Sequence, residues 1–262
     1  MSVEKNRQAF EWGRYLAHHG EEAVQAMLPS ARREQVVAMP QTLDNLIRQR
    51  ESMLTEYQNA AYAARYRDAV ERIRTAEQKL GAGRKLVLTE AVARNLAKLM
   101  AYKDEYEVAR LYADPAFLDK LRAQFEGEPG RDYQLNFWLA PPLLAKADDK
   151  GHLLKRRFGP RTMTAFRLLA RLKGLRGTAF DVFGRTAERR AERQLVADYL
   201  AMIVEFAQSL SIDRLDTAIA LAALPDDIRG FGHVKEGKLH AVAGRRETLL
   251  AQYRDGTQRA AA

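Results

Sequence analysis

The stretch PDDIRGFGHVKEGKL, Pro225 to Leu239, carries the residues best suited to local chemistry: Arg229, His233 and Lys235, with Gly230 and Gly232 around Phe231. Glycines allow close backbone approach and positive φ. A histidine titrates near neutrality and can move a proton. Catalysis needs a second positioned group, and no partner at a recognisable spacing accompanies His233. A tight helix–helix turn with a hydrogen-bonded histidine accounts for the same residues. GFGHVK is not a dinucleotide fingerprint, because the third glycine and a surrounding βαβ pattern are both missing.

The other chemistry-bearing residues are weaker still. The five histidines, His18, His19, His152, His233 and His240, show no HExxH spacing, so no metal site is expected. The absence of cysteine excludes disulfides, thiol nucleophiles and thiolate-ligated zinc or iron–sulfur clusters from this chain. Gly81, Ala82 and Gly83 before Arg84 and Lys85 read as a turn, since no Walker spacing follows. Asp104 with Glu105, Asp148 with Asp149 and Asp226 with Asp227 are adjacent acids. Neighbours on a helix point in different directions, so none makes an acid/base couple. Trp12 and Trp138 read as core or interface anchors. No catalytic residue and no cofactor is assigned to the chain.

The elements that must position these residues are mostly helical. The chain has 262 residues, 47% of them hydrophobic and 29% charged, enough for one sizeable core. Val3 to His19 reads as an amphipathic helix ended by Gly20, within an N-terminal helical segment of residues 1–40. From Thr42 as cap, apolar or small residues recur at three- and four-residue steps to Leu80, which predicts one long helix ending at Gly81, the helix and linker of 41–85. Residues 86–262 read as a mainly helical C-terminal domain. In it, a second long helix runs from Thr89 as cap to Tyr112, and Asp114–Pro115 starts another. Tyr133, Leu135, Phe137 and Leu139 alternate as in a strand, and His152 to Phe158 supplies the return. The expected fold is therefore mainly α, a multi-helix domain with long helices and one small β-hairpin at about Tyr133 to Phe158. No apolar run approaches the ~20 residues that span a bilayer. The charged N-terminus lacks the apolar core of a signal peptide, so a cytoplasmic location and no membrane contact are expected.

Charge is concentrated in one place. Lys155 to Arg193 contains twelve Lys and Arg against three acids, a surplus of nine that equals the net charge of +9 of the whole chain. The expected interaction surface is Arg156, Arg157, Arg161, Arg167, Arg171, Lys173, Arg176, Arg185, Arg189 and Arg190. Plotted as a helix, Pro160 to Leu175 places Ala165, Phe166, Leu168, Leu169, Leu172 and Leu175 on one half and Arg167 and Arg171 opposite. Thr186 then caps a helix through Tyr199, Met202 and Phe206. Such a block is either an ordinary solvated helix face or a surface for acidic proteins, phosphates or nucleic acid.

Long ordered phrases carry a family resemblance. LTEAVARNLAKLMAYKDEYEVARLYADPAFLDKLRAQFEG, FWLAPPLLA, KRRFGPRTMTAFRLLARLKGLRGTAFDVFGRTAERR and LPDDIRGFGHVKEGKL resemble the C-terminal region of long-chain, fused bacterial indolepyruvate ferredoxin oxidoreductases, over roughly Gln58 to Tyr253. SVEKNRQAFEWGRYLA resembles the last helix of the gamma-type catalytic domain that precedes that region. The resemblance implies oxidative decarboxylation of an aryl 2-oxoacid to its coenzyme A thioester, with thiamine diphosphate, iron–sulfur clusters and ferredoxin. It implies equally that those groups sit in preceding domains, since no stretch here matches them. The chain is expected to be a non-catalytic C-terminal domain or split subunit. Its expected partners are the catalytic domains or subunits, ferredoxin or coenzyme A. A stand-alone basic binding module for nucleic acid or another polyanion is the alternative, without a zinc-finger, RNP or recognition-helix pattern behind it.

Overall fold

The computed structural model describes residues 3–27, 42–140, 154–228 and 233–260. The chain divides into two units, Met1–Gln41 and Thr42–Ala262. In the first, α1 (Val3–Met27) is interrupted at Gly20, whose φ of 80° is non-helical. This is the break that the glycine predicts.

The second unit contains α2 (Leu43–Tyr57), α3 (Ala60–Gln78), α4 (Val87–Met100), α5 (Glu105–Ala113), α6 (Pro115–Gln124), β1 (Phe137–Leu139), β2 (Arg156–Phe158), α7 (Thr162–Arg171), α8 (Ala187–Ser209), α9 (Ile212–Ala223) and α10 (His233–Ala260). The protein is mainly α with one small antiparallel hairpin. Phe137 pairs with Phe158, Trp138 with Arg157 and Leu139 with Arg156. The strands are three residues each, shorter than the alternation from Tyr133 predicts. Among the described residues no helix is long and apolar enough to cross a membrane.

Two apolar clusters hold this unit. The larger joins Leu46, Ile47 and Leu54 of α2, Tyr66, Val70 and Ile73 of α3, Leu88, Val92, Leu96 and Met100 of α4, and Val196, Met202, Ile203 and Phe206 of α8. Leu215, Ala218 and Leu221 of α9 and Tyr253 of α10 complete it. The smaller is centred on Ala109, Phe137 and Phe166, with Tyr112 at 5.2 Å from Phe166 in a stack and at 5.1 Å from Phe137 edge to face.

Both long helices expected from the periodicity are broken in two, and the reason in each case is a polar cap. Asn59 leaves helical geometry and its side chain accepts from Tyr62 N at 2.8 Å, which starts α3 afresh. Asp104 does the same for α5, accepting from Glu107 N at 2.8 Å. Apolar periodicity runs through both breaks because the helices on either side face one core. Thr89 is not the cap of α4. The helix begins two residues earlier, after Leu86, which offers no side-chain cap. Instead the buried Glu77 carboxylate, from the end of α3, accepts from Leu88 N at 2.9 Å, Thr89 N at 2.8 Å and the Thr89 hydroxyl at 2.6 Å. A carboxylate there meets the orphan N–H groups and the positive end of the helix dipole. Tyrosines hold the middle of α4, its last residue and the segment after it: Tyr66 donates to Ala93 O, Tyr62 to Met100 O and Tyr57 to Tyr102 O, each within 3.0 Å.

Two outcomes follow for stability. Glu77→Ala strands three donors in the interior and lowers the unfolding free energy by about 2–3 kcal/mol, read by urea titration. Thr89→Val, which removes one of the three, costs about 1 kcal/mol. Glu205 of α8 and Arg254 of α10 form a two-pronged ion pair at 2.8 Å that holds the Glu205 carboxyl below its usual range. A depressed carboxylate contributes stability above its unfolded pKa and loses it as pH falls through the folded value. The pair is partly exposed, so thermal melts should separate wild type from Glu205→Gln by no more than about 1 kcal/mol at neutral pH, and the gap should close when the melts are repeated in acid.

Candidate functional site

The basic block is sorted by the fold into an inner set and an outer set. Arg176 defines the inner set. It is 4% exposed, and its Nε and Nη2 donate to Asp104 at 2.5 and 2.9 Å, while Nη1 donates to Tyr57 O at 2.6 Å. The guanidinium lies 3.7 Å from the centre of the Tyr57 ring and 5.5 Å from that of Tyr106. Burial opposes its charge, but the Asp104 bonds outweigh that, and the pKa stands above the ordinary arginine value. Burial and the neighbouring Asp104 also push the Tyr57 hydroxyl upward. Arg176 is therefore not part of any docking surface. It joins the end of α2 to the start of α5.

The segment after Arg176 is arranged around a second buried acid. Asp181 accepts from Gly177 N at 2.7 Å and Gly184 N at 2.9 Å. The Tyr106 hydroxyl is pushed up to about 12, chiefly by burial and then by the negative charge of Asp181. A Cβ on Gly184 would collide with that carboxylate, so the position requires glycine. At the start of α8, capped by Thr186 as expected, Arg189 is 12% exposed and pairs with Glu192 at 2.7 Å and Glu105 at 3.8 Å. Burial raises the Glu105 carboxyl above its usual range, against the pull of Arg189. Lys173 donates to Glu56 O, a carbonyl at the end of α2. Lys173, Arg176 and Arg189, three of the expected surface residues, are thus engaged with the fold itself.

The outer set lies on the hairpin and α7. Arg156, Arg157, Arg161, Arg167 and Arg171 are exposed and make no ion pair with a described residue. Arg185 and Arg190 are exposed too, but their guanidinium groups rest on the carbonyls of Ala179 and Arg185. The helical plot of α7 needs correction. Phe166 is buried and Leu169 half-buried, whereas Ala165, Leu168 and Leu172 are exposed, Leu168 at 62%. The small aromatic cluster is wide enough to cover one stripe of a ten-residue helix, and the remaining apolar stripe shares the surface with Arg161, Arg167 and Arg171. α7 itself ends at Arg171 and tightens into a 3-10 turn over Leu172–Leu175. On the hairpin, Trp138 is 63% exposed and directly opposite Arg157, on the face away from Phe137. Trp138 is thus a surface residue rather than a core one.

The weak turn site cannot be assembled. Arg229 lies outside the described residues, and so do the side chains of His233 and Lys235, whose backbone is the first turn of α10 rather than a glycine-flanked turn. His152 and the Asp148–Asp149 turn also lie outside them. Of the acid pairs, Asp104 and Glu105 are structural partners of arginine. Among the described residues, no group of three or more His, Cys, Asp or Glu could hold a metal ion.

The fold and this surface define a helical domain whose charged interior is structural and whose outer face mixes arginine with exposed apolar side chains. Residues 43–248 match the family described as "Family of unknown function (DUF6537)", and the chain belongs to that family. No curated protein and no solved structure matches it.

The two sets should separate on mutation. Arg176→Ala leaves Asp104 buried without its counter-charge and lowers the unfolding free energy by about 3–5 kcal/mol. Arg167→Ala, on the outer face, changes it by no more than about 0.5 kcal/mol. Denaturant titration of the two variants checks this.

Proposed function

We propose that this chain is a non-catalytic C-terminal domain or split subunit of an aryl 2-oxoacid, indolepyruvate-type, ferredoxin oxidoreductase, and that it meets a partner protein through the outer face of the hairpin and α7. The resemblance of the ordered phrases supplies the enzyme. The observation that carries the docking role is the set of exposed arginines on the hairpin and α7 that make no ion pair with a described residue, together with exposed Trp138 opposite Arg157 and exposed Leu168 and Leu172 on and after α7. Trp and Arg are the side chains most enriched at the centres of protein interfaces. A site for the phosphates of coenzyme A or for nucleic acid needs cationic and backbone donors, and exposed leucines add nothing to it. The mixture therefore favours an acidic protein surface, on the catalytic domains or on ferredoxin.

In this reading the thiamine diphosphate, iron–sulfur clusters and coenzyme A of the wider enzyme are held elsewhere. A chain without cysteine has no thiolate with which to ligate a cluster. The reaction would take place in the cytoplasm, with oxidised ferredoxin accepting the two electrons that decarboxylation releases.

The test is co-purification with a thiamine-type catalytic chain from the same source, together with indolepyruvate-dependent ferredoxin reduction with and without this chain. Association is expected, and it should weaken steeply in Arg157→Glu/Arg167→Glu/Arg171→Glu, most at low salt. No association and unchanged activity would overturn the proposal. Binding to nucleic acid that falls linearly with the logarithm of salt would favour the alternative module.

A further inference from the structure

The loop that follows Arg176 is more firmly held than a connection between helices requires, and it displays apolar side chains. The Thr178 hydroxyl donates to Leu175 O at 2.7 Å and accepts from Phe180 N at 3.2 Å, and Asp181 N donates to Thr178 O at 3.1 Å. The Asp181 carboxylate closes the loop from inside through Gly177 N and Gly184 N. Side chains then alternate: Asp181 and Phe183 turn inward, Phe183 edge to face on Tyr106 at 5.3 Å, and Phe180 and Val182 turn outward. Phe180 is 75% exposed and Val182 53%. A backbone fixed in advance has little ordering entropy left to lose on binding, and an aromatic on it is the usual form of an interface anchor.

We infer that residues 177–185 form a preformed anchor that seats Phe180 and Val182 in an apolar pocket of a catalytic domain, rimmed by carboxylates. The rim follows from Arg185 and Arg190, which are exposed and bonded to carbonyls rather than acids, so their charge is offered outward. A catalytic domain is favoured over ferredoxin because apolar anchors act mainly by slowing dissociation, whereas electron-transfer encounters use small charged contacts that release quickly. The partner's identity rests on the proposed function; the anchor itself rests on the loop.

The experiment measures association and dissociation rates of the full chain with the purified thiamine-type catalytic chain and, separately, with purified ferredoxin. Phe180→Ala/Val182→Ser should dissociate from the catalytic chain about tenfold faster or more. The loss should persist at high salt, and the melting temperature should not move because both side chains are exposed. Phe180→Gln serves as a second, milder variant and should show the same direction. Wild type that binds the catalytic chain while the double variant matches it within about twofold would overturn the anchor and leave the proposed function standing. Wild type that binds neither the catalytic chain nor ferredoxin would overturn both. A Phe180-dependent complex with ferredoxin alone would overturn the choice of partner.

Discussion

Arg176 and Asp104 are a charge pair in the interior, and much of the second unit is arranged so that they can stay there. Removing two charges from water costs several kcal/mol per ion, and only close geometry with every remaining donor satisfied offsets it. That condition is met from three directions. Asp104 supplies both carboxylate oxygens while also capping α5, the end of α2 supplies the Tyr57 carbonyl, and Tyr57 and Tyr106 supply ring faces. Each partner is at the end of an element, so the pair fixes where α2 stops, where α5 starts and how the segment after α7 returns to the main core. A hydrophobic joint of the same size would hold these pieces together without dictating one arrangement of their ends.

The same constraint decides the meaning of the chain's charge. A surplus of nine positive charges in 39 residues reads on paper as one cationic surface. In the fold, Arg176 and Arg189 are neutralised by Asp104, Glu105 and Glu192, and Arg193 approaches Asp181 at 4.0 Å. What reaches solvent is drawn from β2, α7, the loop before α8 and the first turn of α8. The outward field is thus smaller and more local than the composition implies, and it is interleaved with Trp138, Leu168 and Phe180. Charge in this arrangement orients an encounter, and apolar area prolongs it.

Fold class, the hairpin and most helix positions were legible because apolar spacing reports on burial directly, and caps such as Thr186 and Asp114–Pro115 follow local rules. The breaks at Asn59 and Asp104 were also present as local signals. Asp104 followed three residues later by Glu107 is a capping pattern, masked by an apolar period that continues through it. The Arg176–Asp104 pair was not legible. The two residues are separated by 72 positions, and nothing in the wording around either marks it as buried rather than solvated. Glu77 capping a different helix is the same case, since the donor and acceptor are joined by tertiary packing and not by spacing. The outward turn of Leu168 and Leu172 was hidden for the opposite reason: a helical plot ranks faces by composition and does not know how much surface the neighbours can cover.

The outer face and the loop stand on foundations of different strength. The hairpin and α7 rest on the smaller cluster, in which three residues are buried, Ala109, Phe137 and Phe166. A segment with so few buried apolar contacts opens at lower free energy than the helices of the main core. The loop of Phe180 is tied through Arg176, Asp181 and Phe183 to α2, α5 and α8, which belong to or abut that core. A partner that grips the loop meets a surface already formed. One that spreads over α7 and the hairpin stabilises the weaker part by mass action, since it binds that part folded and not unfolded. In the complex proposed above, the rigid contact would fix position and the softer cationic face would follow it into register.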